Sequence, residues 1–212
     1  MNRNEDCTAK PATGDVTLAV LAGGVGSRMG QAKALLRIGG RPILEHLLDR
    51  LKWPGPTLLV TAPGRENPPG YQGFSKEAVD PIAGVGPLRG LLTAVENSPT
   101  ERLVVVTVDM PDVEPAQLQW LIDRLAEYSE QAGVMLRRRD GDDTWIEPFP
   151  LACRRTAADI IRGRLAADRL SVRDLTVNGH FACVATPATW AGAWTNLNEP
   201  RDFARYLNRP TP

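Results

Sequence analysis

"VTLAVLAGGVGSRMGQAK", residues 16–33, opens with six residues of apolar or β-branched character and then breaks into glycine. The run from Val16 to Leu21 is the length of one strand and has no polar face, as expected for a buried parallel strand. Gly23, Gly24, Gly26 and Gly30 follow, with Arg28 and Lys33 set among and after them. The spacing fits neither familiar glycine template. Three residues separate Gly26 from Gly30, which breaks GxGxxG, and Gln31-Ala32-Lys33 follows Gly30, which breaks the Walker A pattern. The chemistry is still that of an anion cradle. Glycines let backbone N–H groups converge on an oxyanion, Arg28 offers a planar fork and Lys33 a point charge. A tight strand-to-helix turn carrying surface cations accounts for the same residues.

Working outward, Pro42 opens a helix with Ile43, Leu44, Leu47, Leu48 and Leu51 at helical spacing, stopped by "WPGP" at 53–56. "TLLVT" (57–61) reads as a second buried strand, 63–75 as loop, and a short strand ends at Asp80. "GPLRGLLTAVENS" (86–98) is a helix, "RLVVVTVDMPDV" (102–113) the strongest strand, and "PAQLQWLIDRLAEY" (115–128) an amphipathic helix. "GVMLRRR" and "WIEPFPLAC" form two more strands with a turn at Asp140-Gly141. Helical stretches near 155–166 and 171–177, a strand at 182–185 and a helix near 200–207 complete the chain. Alternation of strands and helices predicts an α/β fold: a Rossmann-like open, mostly parallel sheet with helices on both faces. The organisation expected is a flexible lead-in over 1–14, one domain over 15–208 and a short tail over 209–212.

Ligands in such sheets bind beyond the C-terminal strand ends, which selects the residues worth weighing. Asp109 stands at the end of an apolar strand, where it serves as a magnesium ligand or as a loop cap. Asp80 and the glycines of "VDPIAGVGPLRG" (79–90) can read a base or ribose, or simply shape a loop into a helix. Asn196 and Asn198 precede a proline-initiated helix, so they are N-caps or oxygen donors to a metal or hydroxyl. Asp112 reads as solvent-facing or as a neighbour of a helix cap.

Formal net charge is zero, which argues against a polyanion partner such as nucleic acid. Lysine occurs only at 10, 33, 52 and 76, so Lys33 within the loop stands out. Cys7, Cys153 and Cys183 form no CxxC pair, and a reducing cytoplasm is the simplest compartment. Residues 1–14 lack the apolar core of a signal peptide, and no apolar run is long enough for a membrane span. His46 and His180 have no serine pairing, which disfavours a nucleophilic hydrolase.

Taken together and in this order, "LAGGVGSRMGQAK", "GPLRG", "VTVDMP" and "NLNEPRDF" resemble the MobA-type nucleotidyltransferases, from about Val16 to Leu207. The fold implied is that of the nucleotide-diphospho-sugar transferases. "LAGG" with "GPLRG" looks like the guanylyl branch, the molybdenum cofactor guanylyltransferases. By this resemblance Leu21, Ala22, Gly23 and Gly24 would contact the nucleotide, Lys33 its phosphates, Asp80 the nucleoside, and Asp109 both nucleotide and Mg2+. Asn198 would lie near the metal. Catalysis would fall to Arg28, Lys33 and Asp109, and "EPFPLACRR" (147–155) would face the acceptor. Three positions depart from the family pattern: Ala32 replaces an Asp before the loop lysine, Arg89 replaces an Ala, and "TAPGRE" replaces a segment with Asn.

The resemblance implies transfer of GMP from GTP to molybdopterin with release of pyrophosphate. Molybdoenzymes or cofactor carriers would be protein partners. The rival readings are a relative using CTP or another phosphorylated acceptor, and a non-catalytic module that binds GTP or the cofactor.

Overall fold

The computed structural model describes residues 13–24, 26, 28–140, 142–190 and 196–209. The lead-in expected over 1–14 therefore lies outside the described residues except for Thr13 and Gly14, which with Asp15 form a 3₁₀ turn. Cys7, Lys10 and the Gly141 half of the expected turn also lie outside them.

In chain order the strands are β1 (Val16–Leu21), β2 (Arg37–Ile38), β3 (Arg41–Pro42), β4 (Thr57–Thr61), β5 (Lys76–Val79), β6 (Arg102–Thr107), β7 (Gly133–Asp140), β8 (Asp143–Arg154) and β9 (Phe181–Ala185). The α-helices are α1 (Ile43–Leu51), α2 (Pro87–Asn97), α3 (Pro115–Glu127), α4 (Ala157–Ala166) and α5 (Pro200–Leu207). Seven strands form one sheet in the order β5-β4-β1-β6-β8-β7-β9. All neighbouring pairs are parallel except those that β8 makes with β6 and β7. The sheet is thus mostly parallel, with β8 alone reversed.

β1 is buried at every position, and so is β4. Successive side chains on a strand point to opposite faces, so both faces of the sheet are covered here. The α2 helix turns Leu88, Leu91, Leu92 and Val95 inward and packs on β1, β4, β5 and β6 and against α4. The α3 helix covers β6, β7 and β8 with Leu118, Leu121, Ile122 and Leu125. Among the described residues no helix is long and apolar enough to cross a membrane.

Local departures from the sequence reading have physical causes. The long run 102–113 is a strand only to Thr107, because the chain turns at Met110, whose N–H bonds to Thr107 O at 3.1 Å. Pro42 is not in the first turn of α1. It holds extended backbone (φ −52°, ψ 139°) as the residue before the helix, closing a two-strand ribbon over Gly39-Gly40. The stretch 171–177 forms 3₁₀ turns over Arg173–Gly179, interrupted at Val177 and Asn178.

Gly133, where β7 begins, lies under the ring of Phe181 on β9, which is 2% exposed. A Cβ there would overlap that buried ring, and overpacking of this kind costs roughly 1–3 kcal/mol. Gly133→Ala should therefore lower the unfolding free energy by that amount, read as a lower urea midpoint at an unchanged m-value; an unchanged midpoint would show that β9 is loosely docked.

Candidate active site

A cleft of about 440 Å³ opens across the C-terminal ends of β5, β4, β1 and β6. It is the place where parallel α/β sheets gather ligands, because loops from adjacent strands diverge there. Its walls come from the glycine loop after β1, from Thr61 at the end of β4 and Ala62 after it, from Asp80 and Ile82 to Gly86 after β5, from Thr107 to Asp109, and from Asn198.

The glycine loop bends at Gly26 (φ 61°), whose carbonyl accepts the Met29 N–H at 2.8 Å. Met29, Ala34 and Leu36 are buried and pin the loop to the body. Exposed Arg28 lines the cleft, as do Leu21, Gly23, Gly24 and Gly26. Ala22, expected with them, does not; its N–H is bonded to Val60 O at 2.8 Å behind the loop. Arg65, from the "TAPGRE" segment, reaches across to Gly24 O at 3.3 Å.

Lys33 heads a 3₁₀ turn, Lys33–Leu35, and projects its ammonium into the cleft. Nζ donates to Asp109 Oδ2 at 2.5 Å and to Asn198 Oδ1 at 2.9 Å. The other Asp109 oxygen accepts from the Thr107 hydroxyl at 2.5 Å. This geometry accounts for Lys33 in a chain that has Ala32, and no carboxylate, beside it. Lys33 is oriented by two oxygens from distant segments, not by its sequence neighbour. Thr107 was missed in the sequence, although a hydroxyl two residues before Asp109 projects from the same side of an extended chain.

At the opposite side, Asp80 directly follows β5 and is buried, 8% exposed. Its Oδ1 accepts from Arg89 Nε at 3.1 Å and from the Ile82 N–H at 3.3 Å. Arg89, singled out in the sequence only as a departure, is thus tied to a predicted site residue.

Asn198 is delivered by the segment before α5. Neither asparagine caps that helix. Glu199 is the N-cap, and Asp202 accepts the N–H groups of Asn198 (3.2 Å) and Glu199 (2.9 Å). The Leu197 N–H bonds to Asp109 O at 2.9 Å and holds the segment on the cleft, while Asn196 does not line it. Asp112 is not simply solvent-facing: it pairs with Arg209 at 2.6 Å and helps dock α5. Tyr206 of α5 meets His46 of α1 at 3.4 Å. His46 is a packing residue, its pKa lowered chiefly by burial. No residue of 147–155 lines the cleft; Glu147 accepts the Trp145 indole N–H at 2.8 Å and lies 3.6 Å from Arg138.

Asp109 and Asn198 offer hard oxygens to a common point, the position of Lys33 Nζ. Divalent cations such as magnesium take such donors and complete their shell with phosphates and water. Among the described residues no group of three or more His, Cys, Asp or Glu forms a metal cage. The arrangement therefore suits an open-sided ion shared with a substrate.

Two outcomes follow. A Cβ on Gly26 would overlap the Gln31 carbonyl at a positive φ, so Gly26→Ala should deform the loop and cut nucleotide affinity about tenfold or more, with the sheet intact by circular dichroism. Retained affinity in a nucleotide titration would show that the loop does not grip the ligand. Tyr206 has its phenol pushed up to about 12, first by burial and then by Asp112. The folded pKa lies above the ordinary phenol value of 10, so its stabilising contribution is full below pH 10 and is lost as pH rises through about 12. Tyrosinate absorbance at 295 nm should show a late-titrating component that disappears in Tyr206→Phe.

Comparison with known proteins identifies the family and the fold. The MobA-like NTP transferase domain matches residues 18–179. A molybdenum cofactor guanylyltransferase of Xanthomonas euvesicatoria pv. vesicatoria is 32% identical over 204 residues, covering 94% of this chain and 96% of the relative. A probable molybdenum cofactor guanylyltransferase of Thermococcus kodakarensis is 28% identical over 192 residues, covering 88% and 92%. The crystal structure of molybdopterin-guanine dinucleotide biosynthesis protein A from Archaeoglobus fulgidus shares the fold, with a TM-score of 0.70 at 22% identity over 90% of this chain and 96% of that one. With the cleft at the strand ends and the matched domain spanning its main loops, the chain belongs to the MobA-like NTP transferase family and is a nucleotidyltransferase.

Proposed function

We propose that the enzyme transfers GMP from GTP to the terminal phosphate of molybdopterin and releases pyrophosphate. The observation that carries this reading is the meeting of Lys33, Asp109 and Asn198 at one side of a cleft that holds Asp80 on another. The names of the relatives supply the choice of guanine and of the acceptor.

The base lies toward Asp80 and the polyphosphate toward the glycine loop. Gly23 and Gly24 present backbone to the phosphates, while Leu21 shapes the wall beside them. Asp109 and Asn198 would hold magnesium, which would neutralise phosphate charge and help align the α-phosphate. Lys33 then turns from these oxygens to phosphate oxygen, a short move for a flexible four-carbon stem.

An oxygen of the acceptor phosphate forms the new bond to the α-phosphorus. The bond from that phosphorus to the α–β bridging oxygen breaks, and pyrophosphate departs with the electron pair. A phosphate acceptor is already an anion near neutral pH, so no side chain need remove a proton. The protein's share is positioning and charge stabilisation. Arg28 and Lys33 stabilise the charge that builds on the departing pyrophosphate.

Removing one placed charge contact from such a site costs about 3 kcal/mol, roughly a hundredfold in rate. Lys33→Ala and Asp109→Ala should each lower turnover by about that factor, with the thermal midpoint shifted by only a few degrees. Pyrophosphate should form from GTP only when molybdopterin and magnesium are present. Equal release from CTP would overturn the guanylyl reading, GTP binding without any product would favour a carrier module, and full activity in both variants would remove the site assignment.

A further inference from the structure

Asp80 is fixed at both ends. Its backbone N–H donates to Thr61 O at 2.9 Å, which anchors the residue at the end of β5. Its Oδ1 is engaged by two donors, the Arg89 guanidinium and the Ile82 N–H. Among the described residues Oδ2 accepts no hydrogen bond, and Asp80 lines the cleft while Arg89 does not. The ion pair is largely shielded, with side-chain exposures of 18% and 12%.

Arg89 occupies an unusual place for a cation. It is the third residue of α2, where the unpaired N–H groups of a helix start disfavour positive charge. Asp80 offsets that cost, so the two side chains explain one another. The pair also bridges the base of the loop between β5 and α2, whose Gly84 (φ 79°) and Gly86 (φ 94°) need glycine's conformational freedom.

We infer that Arg89 is a positioning residue for base selection, holding the Asp80 carboxylate so that Oδ2 alone faces the nucleotide. This rests on the guanylyl reading above. A held carboxylate oxygen accepts and never donates, and it keeps both lone pairs for neighbouring donors. Guanine presents two adjacent donors on its pairing edge, the ring N–H and the exocyclic amino group. Hypoxanthine keeps only the first. Cytosine and adenine place a ring acceptor beside their amino group, which a fixed carboxylate repels. A carboxylate free to rotate would lose much of this discrimination, because selectivity depends on what is repelled as well as on what is bound.

The test is calorimetric titration of the full chain with GTP, ITP, CTP and inorganic pyrophosphate, in wild type and in Arg89→Ala, Arg89→Lys, Asp80→Asn and Asp80→Asn/Arg89→Ala. Wild type should prefer GTP to both ITP and CTP. Arg89→Ala should lose GTP affinity on the order of tenfold, the scale of one charge-assisted hydrogen bond, while ITP and CTP move much less. Pyrophosphate affinity should hold, Arg89→Lys should recover part of the loss, and the double variant should discriminate no worse than Asp80→Asn alone. Unchanged GTP:ITP and GTP:CTP ratios in Arg89→Ala would overturn the inference while leaving the guanylyl reading standing. Equal loss of GTP and pyrophosphate affinity would also overturn it, since that marks a loop that has merely collapsed. A wild type without preference for GTP would overturn both.

Discussion

The Lys33 ammonium, shared between Asp109 Oδ2 and Asn198 Oδ1, is the interaction on which the site depends. It joins three segments that are far apart in sequence: the glycine loop after β1, the turn after β6, and the run into α5. Each is placed by a different part of the fold. The buried strands β1 and β6 lie side by side in register, so their following loops emerge together. The last segment arrives only because α5 is docked on the body by Tyr206, Arg209 and the Leu197 N–H. A partly buried ion pair of this kind is a poor source of stability, since desolvation offsets much of its Coulomb energy. Its value here is placement, with two oxygens and a cation brought to one point.

The same economy appears on the other side of the cleft. Asp80 and Arg89 flank a glycine-bearing loop, and their pairing fixes the base of that loop. In both places a carboxylate at a strand end is held by a cation from a neighbouring segment. The difference lies in what the cation can do next. Lys33 lines the cleft and can transfer its donors to a phosphate, whereas the Arg89 guanidinium lies behind Asp80. A compact ammonium on a flexible stem suits the first task, and a planar fork with fixed donors suits the second.

Much of this was legible in the sequence. The apolar runs at Val16 and Arg102 forced buried strands, and the C-terminal-edge rule then singled out the glycine loop, Asp80 and Asp109. Turn detail was less legible, because backbone choices at Pro42 and around Asn178 depend on what the tertiary structure packs against them. The partner of Lys33 was hidden for a related reason. The family resemblance placed an Asp at position 32 beside it, where this chain has Ala32, but the chain uses oxygens brought in by the turn after β6 and the run into α5. Arg89 was visible as a departure only, and its meaning needed the distance to Asp80. The caps of α5 were misread because Asn198 has the right chemistry for a cap, while Glu199 stands at the N-cap and Asp202, the third helical residue, closes a capping box with it.

Loss of the carboxylate at position 32 therefore need not mean loss of a positioned lysine. A side chain with three N–H donors can be oriented by any two acceptors that converge on it, provided they are rigid. Asp109 is rigid because its backbone carbonyl holds Leu197 N–H and its Oδ1 holds Thr107. Asn198 is rigid because its N–H is taken up by Asp202 in the first turn of α5. The orienting role has moved from the neighbour in sequence to two neighbours in space. One of these is delivered by the segment running into α5, so the phosphate-facing side of the site can be complete only once α5 has docked.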